Sequence, residues 1–360
     1  MVTFIDSIGS RRGRIIGIAA LFAFCLALSH GAYGAESRFV IFRPQVERSY
    51  SQEELYEIAR EPSLKHETED GYVANPAVDA FFSEVIYRTT RADGADVDIP
   101  FRLHIPFERQ SKRQRSLIVV FHGKGEGDED NARQLAHLHY GIADLVGANG
   151  LDAYILATQF PKECSSWYSA ENLYGKAPLD YTLEIIEGLV EEYEIPAGRA
   201  AAFGICSGAT MAREVVEDRP DLFCAQVLCG FSPNWTDMKR PFSVPTWAFN
   251  NTDDEGADIE LVRATFEAAG KRGDPVWLTE QRSQTHDTWS RALREEHALA
   301  WLAANGSTSF APPPPGCQVV RKRESMEAFL SGLAPILLIA SVVGLDVVIA
   351  RRKKRGTPSS

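Results

Sequence analysis

From residue 82 onward, apolar and polar positions alternate in a regular way along the chain. Residues 82–91 and 97–106 read as strands joined by the turn-rich Ala92-Asp93-Gly94-Ala95-Asp96, a hairpin. Residues 116–121 (SLIVVF) are an unbroken apolar run, the mark of a strand buried on both faces. A helical pattern at 131–146 follows. Then come a strand at 153–158, a helix at 179–193, a strand at 200–203 and a helix at 209–217. Strands at 225–229 and 246–249, a helix at 259–269, a strand at 276–279 and a helical stretch over 288–303 complete the series. Strands alternating with helices predict an α/β fold with a mostly parallel, doubly wound sheet and an antiparallel N-terminal hairpin.

The ends follow another pattern. Arg11, Arg12 and Arg14 precede an apolar run and then small residues to Ala35, the layout of a signal peptide over residues 1–35. Residues 328–350 are apolar with one charge, Asp346, and are followed at once by Arg351, Arg352, Lys353, Lys354 and Arg355. Such a run is long enough to cross about 30 Å of hydrocarbon as a helix, and the basic cluster places residues 351–360 in the cytoplasm. Residues 36–80 form an N-terminal extension with a Ser51-capped helix, 81–306 the α/β domain, and 307–327 a linker containing Pro312–Pro315. The expected product is an exported, single-pass membrane protein with its body outside the cytoplasm.

Composition and charge narrow the function. Hydrophobic residues make up 44% of the 360-residue chain and charged residues 24%, enough apolar matter for a core. The chain carries −11 in all; its ends (1–35 and 318–360) carry +2 and +5, so the stretch between carries −18. That repels phosphate backbones and argues against nucleic acid as a partner. The six cysteines, Cys25, Cys164, Cys206, Cys224, Cys229 and Cys317, show no paired CxxC spacing, so no metal is expected, nor any organic cofactor. Cys164 has Cys224 or Cys229 as a conceivable disulfide partner, while Cys224 and Cys229 face opposite ways along one strand.

The sharpest chemical signal is Gly204-Ile205-Cys206-Ser207-Gly208, between a short apolar strand and a helix. A nucleophile on such a tight turn needs small residues two before and two after it. Counted from Cys206 these are Gly204 and Gly208; counted from Ser207, Ile205 would clash. Cys206 is therefore the expected nucleophile, its thiolate favoured by the helix N-terminus, with the Ser207 N–H facing an oxyanion. Phe121-His122-Gly123-Lys124-Gly125 offers a second oxyanion N–H from Lys124 or Gly125, with His122 as a turn residue. His286, in Gln284-Thr285-His286-Asp287-Thr288-Trp289, is the expected general base. Asp254, with Asp253 as the near alternative, is the carboxylate that would orient it. The acidic run Asp128-Glu129-Asp130 reads as a solvated face or helix-start charge, and Trp167-Tyr168 as either pocket lining or packing.

Four segments in order, LIVVFHGKGEGDEDNARQL, GICSGATMAREVVEDRPDLFCAQVLCG, PTWAFNNTDDEG and THDTW, resemble the α/β-hydrolases. They are most similar to the secreted esterase, phospholipase/carboxylesterase and polyhydroxybutyrate-depolymerase-like branch. The resemblance implies an α/β-hydrolase fold, with the family's nucleophile falling on Cys206, its base on His286 and its acid on Asp254. It implies cleavage of an ester, or equally a thioester, in a small or polymeric substrate through an acyl-enzyme. Cys in place of the usual Ser is similar to the dienelactone hydrolases and leaves acyl transfer as an alternative to hydrolysis. Ala209 and Asn250-Asn251 depart from the family pattern, and they are the ground for a further alternative, an envelope scaffold with weak catalysis.

Overall fold

The computed structural model describes residues 37–63, 67–68, 71–91, 93–107, 115–148, 151–169 and 171–304. The expected signal peptide, linker, membrane span and basic tail lie outside the described residues, among which no helix is long and apolar enough to cross a membrane. Contacts divide the chain at Val40/Ile41, and the unit that begins at Ile41 holds the α/β core.

Among the described residues one sheet has nine strands. They are β1 (Phe39–Arg43), β4 (Ser83–Thr90), β5 (Asp96–His104), β6 (Ser116–Phe121), β7 (Ala153–Ala157), β8 (Ala200–Ile205), β9 (Phe223–Cys229), β10 (Thr246–Asn251) and β11 (Val276–Gln281). A separate two-residue ladder joins β2 (Glu67–Thr68) to β3 (Gly71–Tyr72). The order across the large sheet is β1-β4-β5-β7-β6-β8-β9-β10-β11. Strands β6 to β11 pair in parallel, whereas β4, β5 and β7 pair antiparallel in that order. The mostly parallel α/β sheet and its antiparallel hairpin are thus as the hydrophobic pattern predicts. Strands β6, β7, β8 and β10 are buried at every residue, since crossover helices cover both faces of a parallel sheet.

The helices are α1 (Gln52–Ile58), α2 (Pro76–Asp79), α3 (Ile142–Leu145), α4 (Pro178–Glu192), α5 (Ser207–Asp218), α6 (Ile259–Arg272), α7 (Trp289–Arg294) and α8 (Ala298–Ala303). Their boundaries follow local chemistry. Ser51 and Glu54 cap α1 reciprocally, Pro178 opens α4, and Asp258 caps α6, which Gly273 ends in the left-handed region.

Two expected helices are broken. Residues 131–146 form two 3₁₀ turns, Arg133–Leu135 and Leu138–Gly141, before the single turn of α3. His137 and His139 are drawn to fixed partners, Glu126 at 3.1 Å and the Glu61 carbonyl at 2.6 Å, and these contacts override the helical pattern. Residues 288–303 split into α7 and α8 at His297, whose φ is +51°. The buried Asp144 sets the break, taking His297 Nδ1 at 3.2 Å and the Ala300 N–H at 3.4 Å.

A disulfide from Cys164 is also corrected. Cys164, Cys206, Cys224 and Cys229 are all free thiols. Cys224 donates to the Ala200 carbonyl at 2.9 Å, Cys164 lies 3.9 Å from that of Ser169, and Cys229 is enclosed in the core.

Candidate active site

Strand β8 ends at Ile205, and α5 begins at Ser207, so Cys206 alone makes the turn between them. Its φ of +55° and ψ of −120° lie where few residues with a side chain are found. The flanking glycines make the turn possible. A Cβ on Gly204 would stand 2.5 Å from Ala209 Cα, and one on Gly208 would meet the carbonyl oxygens of Phe121 and His122, the latter at 2.5 Å. Both obstacles are backbone, which cannot rotate away. Gly204 and Gly208 are thus the steric condition for the turn at Cys206.

The Cys206 thiol is hydrogen-bonded to the His286 imidazole. His286 Nδ1 lies 2.6 Å from Asp254 Oδ2, which leaves Nε2 for the sulfur. Asp254 is held in turn by the Gly256 N–H, 2.7 Å from Oδ1. Asp253, the alternative acid, is exposed and faces Arg282 at 3.5 Å. The hydrogen bond from His286, helped by the Ser207 N–H, pulls the thiol below its ordinary value. The same bond and the Asp254 carboxylate raise His286 to about 9. The pairing thus favours the thiolate on Cys206 and the protonated ring on His286.

The turn that carries Lys124 and Gly125 stands next to Cys206. A Cβ on Gly123 would be 3.2 Å from that of Cys206. Lys124–Glu126 is one 3₁₀ turn, and the N–H groups of Lys124 and Gly125 have no carbonyl acceptor among the described residues. His122 is structural, as its place suggests. It is buried, its Nδ1 donates to the Gly123 carbonyl at 2.7 Å, and its Nε2 accepts from the Phe160 N–H at 3.2 Å. Burial lowers it to about 4, so it stays neutral. Trp167 packs on His122, Phe121 and Phe160 in the core, while Tyr168 is exposed, with its hydroxyl 2.5 Å from Glu214. Asp130 accepts from the N–H groups of Ala132 and Arg133, and Asp128 pairs with Arg133 at 3.1 Å, so the acidic run organises its own loop. No group of three or more His, Cys, Asp or Glu side chains among the described residues is arranged to hold a metal ion.

The structure adds residues that the motifs leave unmarked. Asn250 and Asn251, expected in a loop after the strand, are the last residues of β10, paired in register with Glu280 and Gln281. The Asn251 amide donates to the carbonyls of Thr285, at 2.7 Å, and Asp287, at 3.2 Å, which flank His286. The Asn250 amide donates to the Phe231 carbonyl at 2.9 Å. Asn251 thus ties down the loop that carries His286. Gly230 follows β9 with φ +63°, and a Cβ there would sit 3.0 Å from His286 Cε1. Trp289 meets the His286 ring edge-on at 5.7 Å. A glycine immediately after a buried strand was the one available sequence signal; Asn251 had none.

Solved structures give the fold. The crystal structure of a thermostable esterase superposes with a TM-score of 0.52 and 24% identity, over 63% of this chain and 63% of its own length. The chain shares the mostly parallel α/β fold of that esterase. A ferulic acid esterase matches with a TM-score of 0.47 and 15% identity, over 62% of this chain and 98% of its own. Esterase 2 of Thermogutta terrifontis, phosphorylated by paraoxon, matches with 0.43 and 16%, over 63% and 96%. This chain therefore spans less than two thirds of the thermostable esterase. No family model matches the sequence, and no curated protein does.

Proposed function

We propose that this protein is a hydrolase of ester or thioester bonds that works through a covalent intermediate on Cys206. The observation that carries the reading is the hydrogen-bonded series Cys206–His286–Asp254 at a strand-to-helix turn that only Gly204 and Gly208 permit.

The steps follow from the charges. The Cys206 thiolate attacks the carbonyl carbon, and the carbonyl π pair moves onto oxygen. The N–H of Ser207 and that of Lys124 or Gly125 receive the oxyanion. As the tetrahedral adduct collapses, the C–O or C–S bond to the leaving group breaks, and His286 Nε2–H protonates that group. Neutral His286 then takes a proton from water as the water attacks the thioester. The second adduct expels the Cys206 thiolate, the acid leaves, and the resting pair returns. Asp254 keeps the Nδ1–H in place and stabilises the imidazolium throughout.

Intact-mass spectrometry of the protein after exposure to p-nitrophenyl esters tests the reading, with Cys206→Ala alongside. The expected result is an acyl adduct on Cys206 and release of p-nitrophenol, both absent in the variant. Equal turnover by Cys206→Ala would reject the assignment.

We also propose that the body sits outside the cytoplasm, anchored by residues 328–350. The support is in the sequence: a basic, apolar and small-residue N-terminus, and an apolar run closed by five basic residues. Protease added to intact spheroplasts should digest the body; a body protected until lysis would reject the orientation.

A further inference from the structure

Apart from the triad, one ionised group stands beside the thiol. A carbon in the Cβ position of Gly123 would be 2.9 Å from Glu126 Oε2 and 3.2 Å from Cys206 Cβ. A single glycine thus separates a carboxylate from the nucleophile. The carboxylate is held in place. His137 Nε2 lies 3.1 Å from Oε1, and the Gln159 amide donates to the Glu126 carbonyl at 2.9 Å. Burial pushes the Glu126 carboxyl up, but the His137 contact and the Gly123 N–H outweigh it, and the group stays below its ordinary value. Its side chain keeps 18% of its surface exposed, so a ligand can reach it.

This position works against the chemistry. The Glu126 charge pushes the Cys206 thiol up, opposing His286, and it opposes an oxyanion forming at the same turn. A glutamine oxygen could accept the His137 hydrogen bond without that effect. A fixed charge that hinders the bond-making step has its use in binding, where it discriminates among substrates by what they bring next to it.

We propose that Glu126 sets the charge specificity of the Cys206 site. It favours substrates that carry a cation or a hydrogen-bond donor close to the scissile carbonyl, and it turns away acyl groups with a negative charge there. The inference rests on the hydrolase reading for the word substrate, but the charge selectivity itself does not.

The test has two arms. In the first, Cys206 is modified with methanethiosulfonate reagents bearing an ammonium or a sulfonate, and the rate at Cys206 is read by peptide mass. The ratio of ammonium to sulfonate rates should fall roughly tenfold in Glu126→Gln relative to the native protein, and Glu126→Ala should show the same fall. In the second arm, p-nitrophenyl esters with neutral, cationic and anionic acyl groups are compared. Glu126→Gln should lose the preference for the cationic ester and gain activity on the anionic one. An unchanged reagent ratio in both variants overturns the proposal, whatever the esters do. A changed ratio with no ester cleaved by the native protein upholds the selectivity and rejects the hydrolase reading alone.

Discussion

Asp254 Oδ2 receives the His286 Nδ1–H at 2.6 Å. That bond fixes which ring nitrogen faces Cys206, so the amide in Asp254→Asn, which can present an N–H to the imidazole, favours the wrong tautomer. The fold should persist while kcat drops by roughly 10²- to 10⁴-fold. Asp253→Asn, at the exposed neighbour, should retain full activity. Steady-state kinetics of the two variants side by side checks both.

The pairing of Cys206 with His286 fixes a pH dependence. His286 lowers the thiol from its ordinary 9.0, which extends the thiolate to lower pH. The rate of Cys206 alkylation by iodoacetamide should therefore reach half its maximum well below pH 9.0. In His286→Gln that partner is lost, and the midpoint should move up toward the ordinary thiol value. A pH profile of alkylation, read at the Cys206 peptide, measures the displacement; coincident profiles would show that His286 does not act on the sulfur.

Asn251 reaches both carbonyls that flank His286. Asn251→Ala removes two hydrogen bonds that hold the histidine loop, a loss of about 1–3 kcal/mol of stability. The base would then be held less well, and kcat should fall by roughly one to two orders of magnitude with a smaller change in KM. Thermal melting and kinetics on one preparation separate the two effects.

Three buried histidines, His104, His122 and His139, set the acid limit. Burial lowers His104 and His122 to about 4 from an ordinary 6.5. Between those values the unfolded chain binds more protons than the folded one, so stability falls as pH drops from 6.5 toward 4 and is full above 6.5. His286 has its folded value raised to about 9, so its contribution is complete below 6.5 and adds no loss in this window. Each histidine costs about 1.4 kcal/mol per pH unit across the window. Calorimetry in buffers of different ionisation heat should show net proton uptake on unfolding near pH 5, to which His139, also lowered by burial, adds.

Much of the fold was legible because the central parallel strands β6, β7 and β8 are buried on both faces and so read as apolar runs. The reading failed where a long-range contact outranks local pattern. Residues 131–146 look helical, but His137 and His139 are claimed by Glu126 and Glu61, far from them along the chain. The helix at 288–303 breaks because buried Asp144 recruits His297. At the site, Cys206 was legible because the elbow's steric demand falls on residues two positions away on either side. Asp254 could be separated from Asp253 only by direction, since adjacent residues point different ways and the carboxylate that turns inward is the one that meets His286. Asn251 was invisible. Its role depends on where Thr285 and Asp287 lie in space, which no local pattern encodes.

The backbone at Cys206 carries one more consequence. Its φ of +55° is an angle at which only glycine rests easily. Cys206→Gly should therefore gain up to about 1 kcal/mol from relief of strain, set against the lost contacts of the thiol, while losing all chemistry. The most relaxed sequence for this turn is an inert one. Any drift toward thermal robustness at position 206 would thus lead away from reactivity, and the thiol persists there only as long as something outside the fold requires it.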